Sequence, residues 1–403
     1  MKFKNLDRGI MGGSLALLIT MNLYFAFNYL FHFAMARMLV IAEYGILATL
    51  YSLMYILAVF SESIQLVISK YSTKEKDKGK LKNMFIKSTK KAVKYSALLF
   101  ISFLVIAILL SYILKIRYTL IAFSGLVIFS SLLLPVSRGI LQGKKRFSSL
   151  GINMILEAIV KLGFAVLLVY LGWKVYGAVA ATVIGVFISL IFSYYLIKDI
   201  LKSKEKKGST PGIYSYTAPV FVAILCVILF YSLDTIIAKI FFHPDIAGQY
   251  AIASTISKII FFGTLPISKA MFPISTESKT KKHSRRILST SALFLTVLII
   301  VALAIIFLFP DLIIRIFAGR YIPELASILI FPAIATSILG FTNLILMHKL
   351  SSGKTSNYYL LFAFIIIEII LLSTFNNSLL QFSIAFMTSS AVFLWGSLFL
   401  LNK

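Results

Sequence analysis

The feature that most constrains this chain is a row of apolar segments, each long enough to cross a lipid bilayer. A helix of about 20 apolar residues spans the hydrocarbon core. Twelve such segments can be marked along the 403 residues, with approximate limits 10–36, 44–68, 95–114, 119–141, 149–172, 177–197, 215–240, 248–272, 287–309, 325–347, 357–375 and 379–401. The sequence therefore predicts an all-α integral membrane protein with about twelve transmembrane helices.

Composition supports this prediction and argues against other classes of protein. Charged residues make up 13% of the chain, against about 25% in soluble domains. The net charge of +26 would suggest a nucleic-acid partner in a soluble protein, but the basic residues gather in alternate loops, so no nucleic-acid partner is expected. The single cysteine, Cys226, lies in an apolar segment and excludes an intramolecular disulfide. The first segment is too long for a signal peptide, and we expect it to be retained.

The basic residues also predict the orientation of the chain. Twenty-nine of the 40 fall in one alternating set of loops, which includes 70–94, 198–207 and 279–286, and only six fall in the other set. Basic loops are retained on the cytoplasmic side, so we expect both termini to lie in the cytoplasm and the protein in the cell membrane. The loop at 70–94 is interpreted as a solvated topology signal, with binding of anionic lipid as the alternative.

Two stretches about two hundred residues apart share one layout. In "MLVIAEYGILATLYSLM" (38–54) and "FFHPDIAGQYAIASTIS" (241–257), a polar turn with one acid is followed by a glycine, Gly45 or Gly248, and then by small and aromatic residues. Similar landmarks recur in the same order elsewhere. The pattern predicts two six-span halves of the same orientation, a parallel repeat in which substrate binds between the halves near mid-membrane. The predicted domains are 1–207, with a basic cytoplasmic linker, and 208–403.

Charged residues within the apolar segments are the candidate functional residues, because a charge at the bilayer centre costs about 2.5–3.5 kcal/mol on insertion scales. Lys161 and Lys258 lie near mid-depth, one in each half. Glu157, one turn before Lys161, favours an ion pair, whereas Lys258 has no acid nearby on its own helix and is predicted to face a cavity. Nearer the membrane faces lie the basic residues Arg37, Arg138, Lys239 and Lys269; the other acids within the segments are Glu62, Asp234 and Glu368.

Basic residues outnumber acidic ones in this set, and a site with surplus positive charge suits an anionic substrate such as a phosphate or diphosphate headgroup. At this point the chain resembles a known family. It is similar to the polysaccharide and lipid-linked oligosaccharide flippases of the multidrug/oligosaccharidyl-lipid/polysaccharide exporter superfamily. The resemblance rests on "ARMLVIAEYGILATLYSL" (36–53), "SRGILQGKKRF" (137–147), "NMILEAIVKLGFAVLLVYLGWKVYGAVAAT" (153–182), "LDTIIAKIFFHPDIAGQYAIAST" (233–255), "FPISTES" (272–278) and "FPDLIIRIFAGRY" (309–321).

The resemblance implies a MATE-like fold of two six-helix lobes with a cationic central cavity. The implied activity is transfer of a polyprenyl-diphosphate-linked oligosaccharide to the outer leaflet by alternating access. Many relatives have fourteen spans, so a lipid-tail groove made by further helices is not expected in a chain with twelve. The expected partners are membrane lipid and a lipid-linked anionic oligosaccharide, and the protein is expected to act as a monomer.

Roles can then be assigned to the candidate residues as hypotheses. Lys258, Lys161 and Arg37 would hold the anionic headgroup, and Lys258→Ala would lower transport without lowering the folded amount. A second group of basic residues would bias entry or exit: Arg138, Lys239 and Lys269. The acids are candidates for ion pairs or for coupling to Na⁺ or H⁺: Asp234, Glu157 and Glu62. No cofactor or metal site is expected.

The main alternative is a cation-coupled multidrug antiporter of the same superfamily, which would use the acids. A major-facilitator transporter is disfavoured because its charged signature is absent from 69–82. A channel is harder to separate by sequence, although nothing resembles a selectivity filter. An enzyme such as a membrane glycosyltransferase is not expected, because the outer acids are scattered and the four histidines have no metal-ligand spacing.

Overall fold

The computed structural model of the protein describes residues 4–208, 217–276, 280–353 and 356–400. The regular structure in these ranges is entirely helical. The longer helices and the short connecting ones are, in chain order, α1 (Lys4–Met38), α2 (Ile41–Lys74), α3 (Lys78–Leu114), α4 (Tyr118–Ser124), α5 (Val127–Gly143), α6 (Phe147–Leu168), α7 (Lys174–Leu196), α8 (Lys198–Leu201), α9 (Thr217–Phe241), α10 (Pro244–Thr276), α11 (Lys281–Leu308), α12 (Pro310–Ala318), α13 (Pro323–Ile328), α14 (Ile330–Ser351), α15 (Leu361–Thr374) and α16 (Leu379–Phe399).

The predicted spans correspond to these helices in order. Within the described ranges, nine helical segments are long and apolar enough to cross a membrane. One of them, Phe147–Leu196, holds the predicted fifth and sixth spans, which are joined by a π-helical turn where Gly172 has φ of 89°. The predicted first span falls in α1, and the eleventh falls in the shorter apolar helix Tyr358–Thr374. The all-α membrane fold is confirmed.

Two regions have helices that the predicted spans do not describe. The third span continues a basic helix without a break, because α3 runs for 37 residues from the lysine-rich loop into the apolar segment. Asp77 caps this helix, accepting hydrogen bonds from the backbone N–H groups of Gly79 and Lys80. The longest predicted outer connection, between the ninth and tenth spans, contains the two short helices α12 and α13.

The chain forms two compact units. The first comprises residues 1–35 and 57–218, and the second comprises residues 36–56 and 219–403. The sequence pattern does not predict that residues 36–56 group with the second half of the chain. The boundary between 207 and 208 and the six-span content of each half stay predictions, since residues 209–216 lie outside the described ranges.

In the first unit, the segment that follows α7 is held against the start of α3. Arg146 donates two hydrogen bonds to Asp199, at 2.8 and 2.7 Å, and Lys78 lies 2.9 Å from the same carboxylate. Lys206 pairs with Asp77 at 2.7 Å. The guanidinium of Arg146, with Lys78, holds the pKa of Asp199 well below its usual range. Residues 198–206 are therefore part of the first unit rather than a free linker.

In the second unit, the two glycines of the predicted repeat lie against each other. A Cβ atom on Gly45 of α2 would lie 2.8 Å from the Cα atom of Gly248 in α10, so only glycine allows the two backbones to approach this closely. Lipid is as apolar as a leucine side chain, and small residues at close crossings are a main source of helix association in membranes. The polar turn occurs twice along the sequence, and in the folded unit its two copies meet.

Candidate functional site

The first unit buries a set of polar residues around α6. Asn153, Glu157 and Lys161 recur at every fourth residue, so they share one face of the helix. The facing helix α7 comes close because Gly185 has no side chain; a Cβ atom there would lie 2.9 Å from the carbonyl oxygen of Glu157. We call the group Arg138, Asn153, Glu157, Lys161 and Ser189 the α6 cluster.

The acid of the α6 cluster pairs with an arginine of another helix. Nη2 of Arg138, on α5, lies 2.6 Å from Oε2 of Glu157, and both side chains are nearly buried. The same guanidinium donates to Oδ1 of Asn153 at 2.7 Å and to the Ser189 hydroxyl at 3.0 Å. Arg138, for which the sequence shows no acid nearby on its own helix, thus has a carboxylate partner 19 residues away.

Lys161 is buried in the same cluster, one turn from Glu157 on α6. Its ammonium group donates a hydrogen bond to Oδ1 of Asn28 and lies 4.6 Å from the centre of the Phe31 ring. Tyr24, on the same helix as Asn28, donates to Oε1 of Glu157 at 3.3 Å. The cluster therefore contains two cationic side chains and one carboxylate.

The second unit contains a comparable set, which we call the α10 cluster: Asp234, Thr235, Tyr250, Ser254 and Lys258. Its α10 members also recur at every fourth residue. Nζ of Lys258 lies 2.9 Å from Oδ1 of Asp234 and 3.1 Å from the Thr235 hydroxyl. Ser254 and Tyr250 donate to the other carboxylate oxygen at 2.6 and 3.2 Å. Asp234 is fully buried and Lys258 is 6% exposed, so this ion pair is sealed within the unit.

A second acid lies close to the α10 cluster. Glu368, on α15, is completely buried, and no described residue donates a hydrogen bond to either of its carboxylate oxygens. It interacts electrostatically with both Asp234 and Lys258. Counted with Glu368, this region contains one cation and two carboxyl groups, the reverse of the α6 cluster.

Arg37 contacts the end of α12 at the edge of the second unit. Its Nε and Nη2 groups donate to the carbonyl oxygen of Ile316, at 3.0 and 2.6 Å, near the end of α12. Arg320 makes the reciprocal contact, donating to the carbonyls of Ala36 and Leu39 at the end of α1. Carbonyls in the last turn of a helix have no partner within the helix, and a basic side chain satisfies them well.

The remaining predicted site residues are scattered. Lys239 is buried near the end of α9, Lys269 is exposed on α10, and Glu62 is exposed on α2. The structure thus brings together Arg138, Glu157 and Lys161 in one unit, and Asp234 and Lys258 in the other. No group of three or more His, Cys, Asp or Glu residues within the described ranges is placed to hold a metal ion.

Sequence reasoning missed the neutral members of both clusters. Asn153, Ser189, Thr235, Tyr250 and Ser254 supply much of the hydrogen bonding to the buried charges. A four-residue spacing links Asn153 to Glu157 and Lys161, and links Tyr250 to Ser254 and Lys258. Polar residues at every fourth position of a helix were therefore the signal in the sequence that could have identified Asn153, Tyr250 and Ser254.

Comparisons with known proteins agree with this architecture. Residues 12–279 match the family model described as polysaccharide biosynthesis protein. A membrane protein of Methanocaldococcus jannaschii, itself uncharacterised, is 27% identical over 91% of this chain and 92% of its own length.

Solved structures show the same fold at low identity. An inward-facing multidrug resistance MATE family transporter of the MOP superfamily covers 96% of this chain and 97% of its own, with TM-score 0.75 and 16% identity. A MOP superfamily transporter from Pyrococcus furiosus covers 97% of this chain and 96% of its own length, with TM-score 0.63 and 16% identity. Family and fold are those of membrane exporters and flippases, not enzymes. The chain belongs to the polysaccharide biosynthesis protein family.

Proposed function

We propose that this protein is a flippase that moves a polyprenyl-diphosphate-linked oligosaccharide from the cytoplasmic to the outer leaflet of the cell membrane. The family match supports a role in polysaccharide biosynthesis. The observation that carries the choice of an anionic substrate is the charge balance of the α6 cluster, in which Lys161 and Arg138 face the single carboxylate Glu157. The basic loops favour cytoplasmic termini.

In one solved structure of the same fold, the polarity of the pocket has been linked to function. The structure of the Pyrococcus furiosus transporter is described as having a binding pocket of reverse polarity that suggests a different function within the superfamily. A surplus of basic over acidic side chains in this chain fits a substrate of negative charge. In the proposal, Lys161 is the principal contact for the diphosphate, and the protein exposes it alternately to the two membrane faces.

The other predicted basic residues have secondary roles in the proposal. Lys258 and Arg138 form ion pairs with Asp234 and Glu157, and in the proposal they contribute to the local field. Arg37, Lys239 and Lys269 of the second unit would assist entry or release of the headgroup. The lipid chain would remain in the bilayer, and the protein would act as a monomer with membrane lipid as its surroundings.

The test is transport by the purified protein in liposomes, with a fluorescent polyprenyl-diphosphate sugar as substrate. Lys161→Met is expected to lower the rate about tenfold or more, since a hydrogen bond to a charged group contributes about 1.5–3 kcal/mol. Lys91→Met, an exposed lysine of the same unit, is the matched control and should transport normally. Unchanged transport by Lys161→Met would remove Lys161 from the site, and no transport by the parent protein would overturn the function.

One observation favours a second candidate, a cation-coupled multidrug antiporter. Glu368 is a buried acid to which no residue in the described ranges donates a hydrogen bond, and it lies beside a second acid, Asp234; such a group suits a Na⁺ or a proton. The same liposomes, loaded with a fluorescent organic cation and given a Na⁺ or H⁺ gradient, separate the candidates. Gradient-driven movement of the cation that Glu368→Gln abolishes, without movement of the diphosphate lipid, would establish the antiporter.

A further inference from the structure

A groove lies between α10 and α11 in the second unit, apart from both charge clusters. It encloses a volume of about 450 Å³, within the range of small-molecule sites. Its walls come from one face of each helix, because the lining residues recur at three- and four-residue spacing. The α10 face contributes Ile267, Ala270, Met271 and Ile274, and the α11 face contributes His283, Arg286, Ile287, Thr290, Ser291 and Phe294.

The groove is apolar along most of its length and open to the side. Ile274 and Phe294 are more than half exposed, and they adjoin the exposed apolar residues Leu293 and Val297 of α11. An apolar chain in the membrane can therefore enter from the side without crossing a polar region. From Arg286 to Phe294 the groove extends about 12 Å along the helix axis, most of the depth of one leaflet, which is about 15 Å.

One end of the groove carries positive charge. Arg286 lines this end and His283 lies beside it, both exposed. No ion pair or hydrogen bond joins the guanidinium of Arg286 to any residue that the structure describes. Guanidinium groups bind phosphate through two parallel hydrogen bonds. The basic end belongs to the loop that the distribution of charge assigns to the cytoplasm, so it lies at the level of the inner headgroups.

We propose that this groove binds the apolar chain of a single-chain anionic lipid of the polyprenyl phosphate or diphosphate class, with Arg286 on its phosphate. The assignment rests on the proposed function, which supplies that class of lipid. A groove bounded by one face of each of two helices accommodates one chain, whereas a membrane phospholipid has two. The site would hold the lipid part of the substrate at the cytoplasmic leaflet.

The first experiment measures binding without transport. The full-length protein in phosphatidylcholine nanodiscs is incubated with a polyprenyl diphosphate that carries a diazirine in its chain, irradiated and digested. Label is expected on peptides that contain 267–274 and 286–294. Excess unlabelled polyprenyl phosphate should remove this label, and polyprenol, which has no phosphate, should be at least tenfold weaker as a competitor. Labelling confined to other helices would overturn the proposal.

Matched variants separate the groove from its surroundings. Ala270→Trp fills the groove and is expected to lower labelling about tenfold, whereas Ser289→Trp adds the same bulk at an exposed position outside the lining. Arg286→Gln should weaken binding about tenfold, and Arg285→Gln, its exposed neighbour, less than twofold. Thr290→Trp is a second filling variant if Ala270→Trp does not fold. Labelling unchanged in the filled variants would overturn the proposal.

Two further outcomes are informative. Competition by phosphatidylglycerol equal to that by polyprenyl phosphate would overturn the choice of a single-chain lipid. Failure of the groove and failure of the flippase function can also be distinguished. Labelling in the groove with no movement of the lipid in liposomes would contradict the flippase function alone, whereas normal movement by Ala270→Trp would contradict the groove alone.

Discussion

The α6 and α10 clusters use the same construction with opposite charge. In each, a helix presents polar residues at every fourth position, and a charged residue from the preceding helix completes an ion pair. The α6 cluster has one carboxylate for two cations, and the α10 region, with Glu368, has two carboxyl groups for one cation. The comparison indicates that charge balance, rather than the presence of charge, separates the proposed roles of the two units.

The two ion pairs also differ in their surroundings. Asp234 accepts hydrogen bonds from Ser254 and Tyr250 in addition to its contact with Lys258. A buried charge is costly unless it is paired and its remaining lone pairs are satisfied. The α10 pair therefore meets the requirements of a structural pair, whereas Lys161 in the α6 cluster contacts an amide and an aromatic ring. Lys258 also lies over an aromatic ring, that of Tyr231, so the contrast is in one hydrogen-bond acceptor, the Asn28 amide for Lys161 and the Asp234 carboxylate for Lys258.

The largest effect is expected from removal of the cation of the α10 cluster. Lys258→Met leaves Asp234 and Glu368 buried without the one cation that the described residues place beside them, and loss of one member of a buried pair costs about 3–5 kcal/mol. We expect the folded amount in membranes and the thermal stability in detergent to fall together. This differs from the sequence-based hypothesis, in which Lys258→Ala affected transport alone.

The control for this prediction is the double variant Lys258→Met with Asp234→Asn. It removes both charges of the pair, and we expect it to recover most of the lost stability. A single variant as stable as the parent protein would show that the pair in the α10 cluster is not structural.

The next largest effect is expected in the α6 cluster. Arg138→Met removes the partner of Glu157 and the donor to Asn153 and Ser189, at a cost of about 2–3 kcal/mol, because Tyr24 still donates to the acid. Thermal unfolding followed by tryptophan fluorescence measures it. Addition of Glu157→Gln should restore stability, and failure to do so would show that Arg138 acts through other contacts.

A smaller effect sharpens the difference between the acids. Glu368→Gln preserves the shape of the side chain and removes a group that no described residue hydrogen-bonds. We expect stability to change by less than about 1 kcal/mol or to rise, because an unpartnered carboxylate is costly to bury. A drop of several kcal/mol would indicate that Glu368 is held as an anion by a bound cation, which titration of Na⁺ during unfolding would then reveal.

The smallest effect is expected outside the apolar segments, at the pair of Arg146 and Asp199. The pKa of Asp199 is lowered in the folded protein, so its contribution is fully present above the unfolded pKa of about 4 and is lost progressively as the pH falls from there through the lower folded pKa. About a third of the side chain is exposed, which limits the contribution to about 1 kcal/mol or less. Asp199→Asn should lower stability at pH 6, and its difference from the parent protein should shrink steadily as the pH falls from about 4 toward 2, as paired thermal scans would show.

The sequence predicted most of the fold, but it predicted the partners of the buried charges less well. Spans are readable because lipid requires long apolar helices, and this holds for segments such as 95–114 irrespective of their neighbours. Glu157 and Lys161 are four residues apart, so local spacing predicted that they would pair. The shortest ion pair of Glu157 is with Arg138 of another helix, and such partners depend on helix packing that no local spacing encodes.

The partner of Lys258 illustrates the same limit. Asp234 is 24 residues away, and the sequence offered it as a partner across helices among several others. The groove beside Arg286 could not be predicted either. It depends on which faces of α10 and α11 leave space between them, whereas the hydropathy of both helices is that of ordinary spans.

The contact between Gly45 and Gly248 also has a consequence for the order of synthesis. A ribosome adds about 5–20 residues per second, so roughly 200 residues separate these glycines by about 10–40 seconds. For that time residues 36–56 wait in the membrane without the helix on which they pack. The contacts of Asp199 with Lys78 and Arg146, by comparison, are all available once residue 199 has been made. Some contacts of the first unit can therefore form early in synthesis, whereas the contacts between the start of the second span and α10 form late.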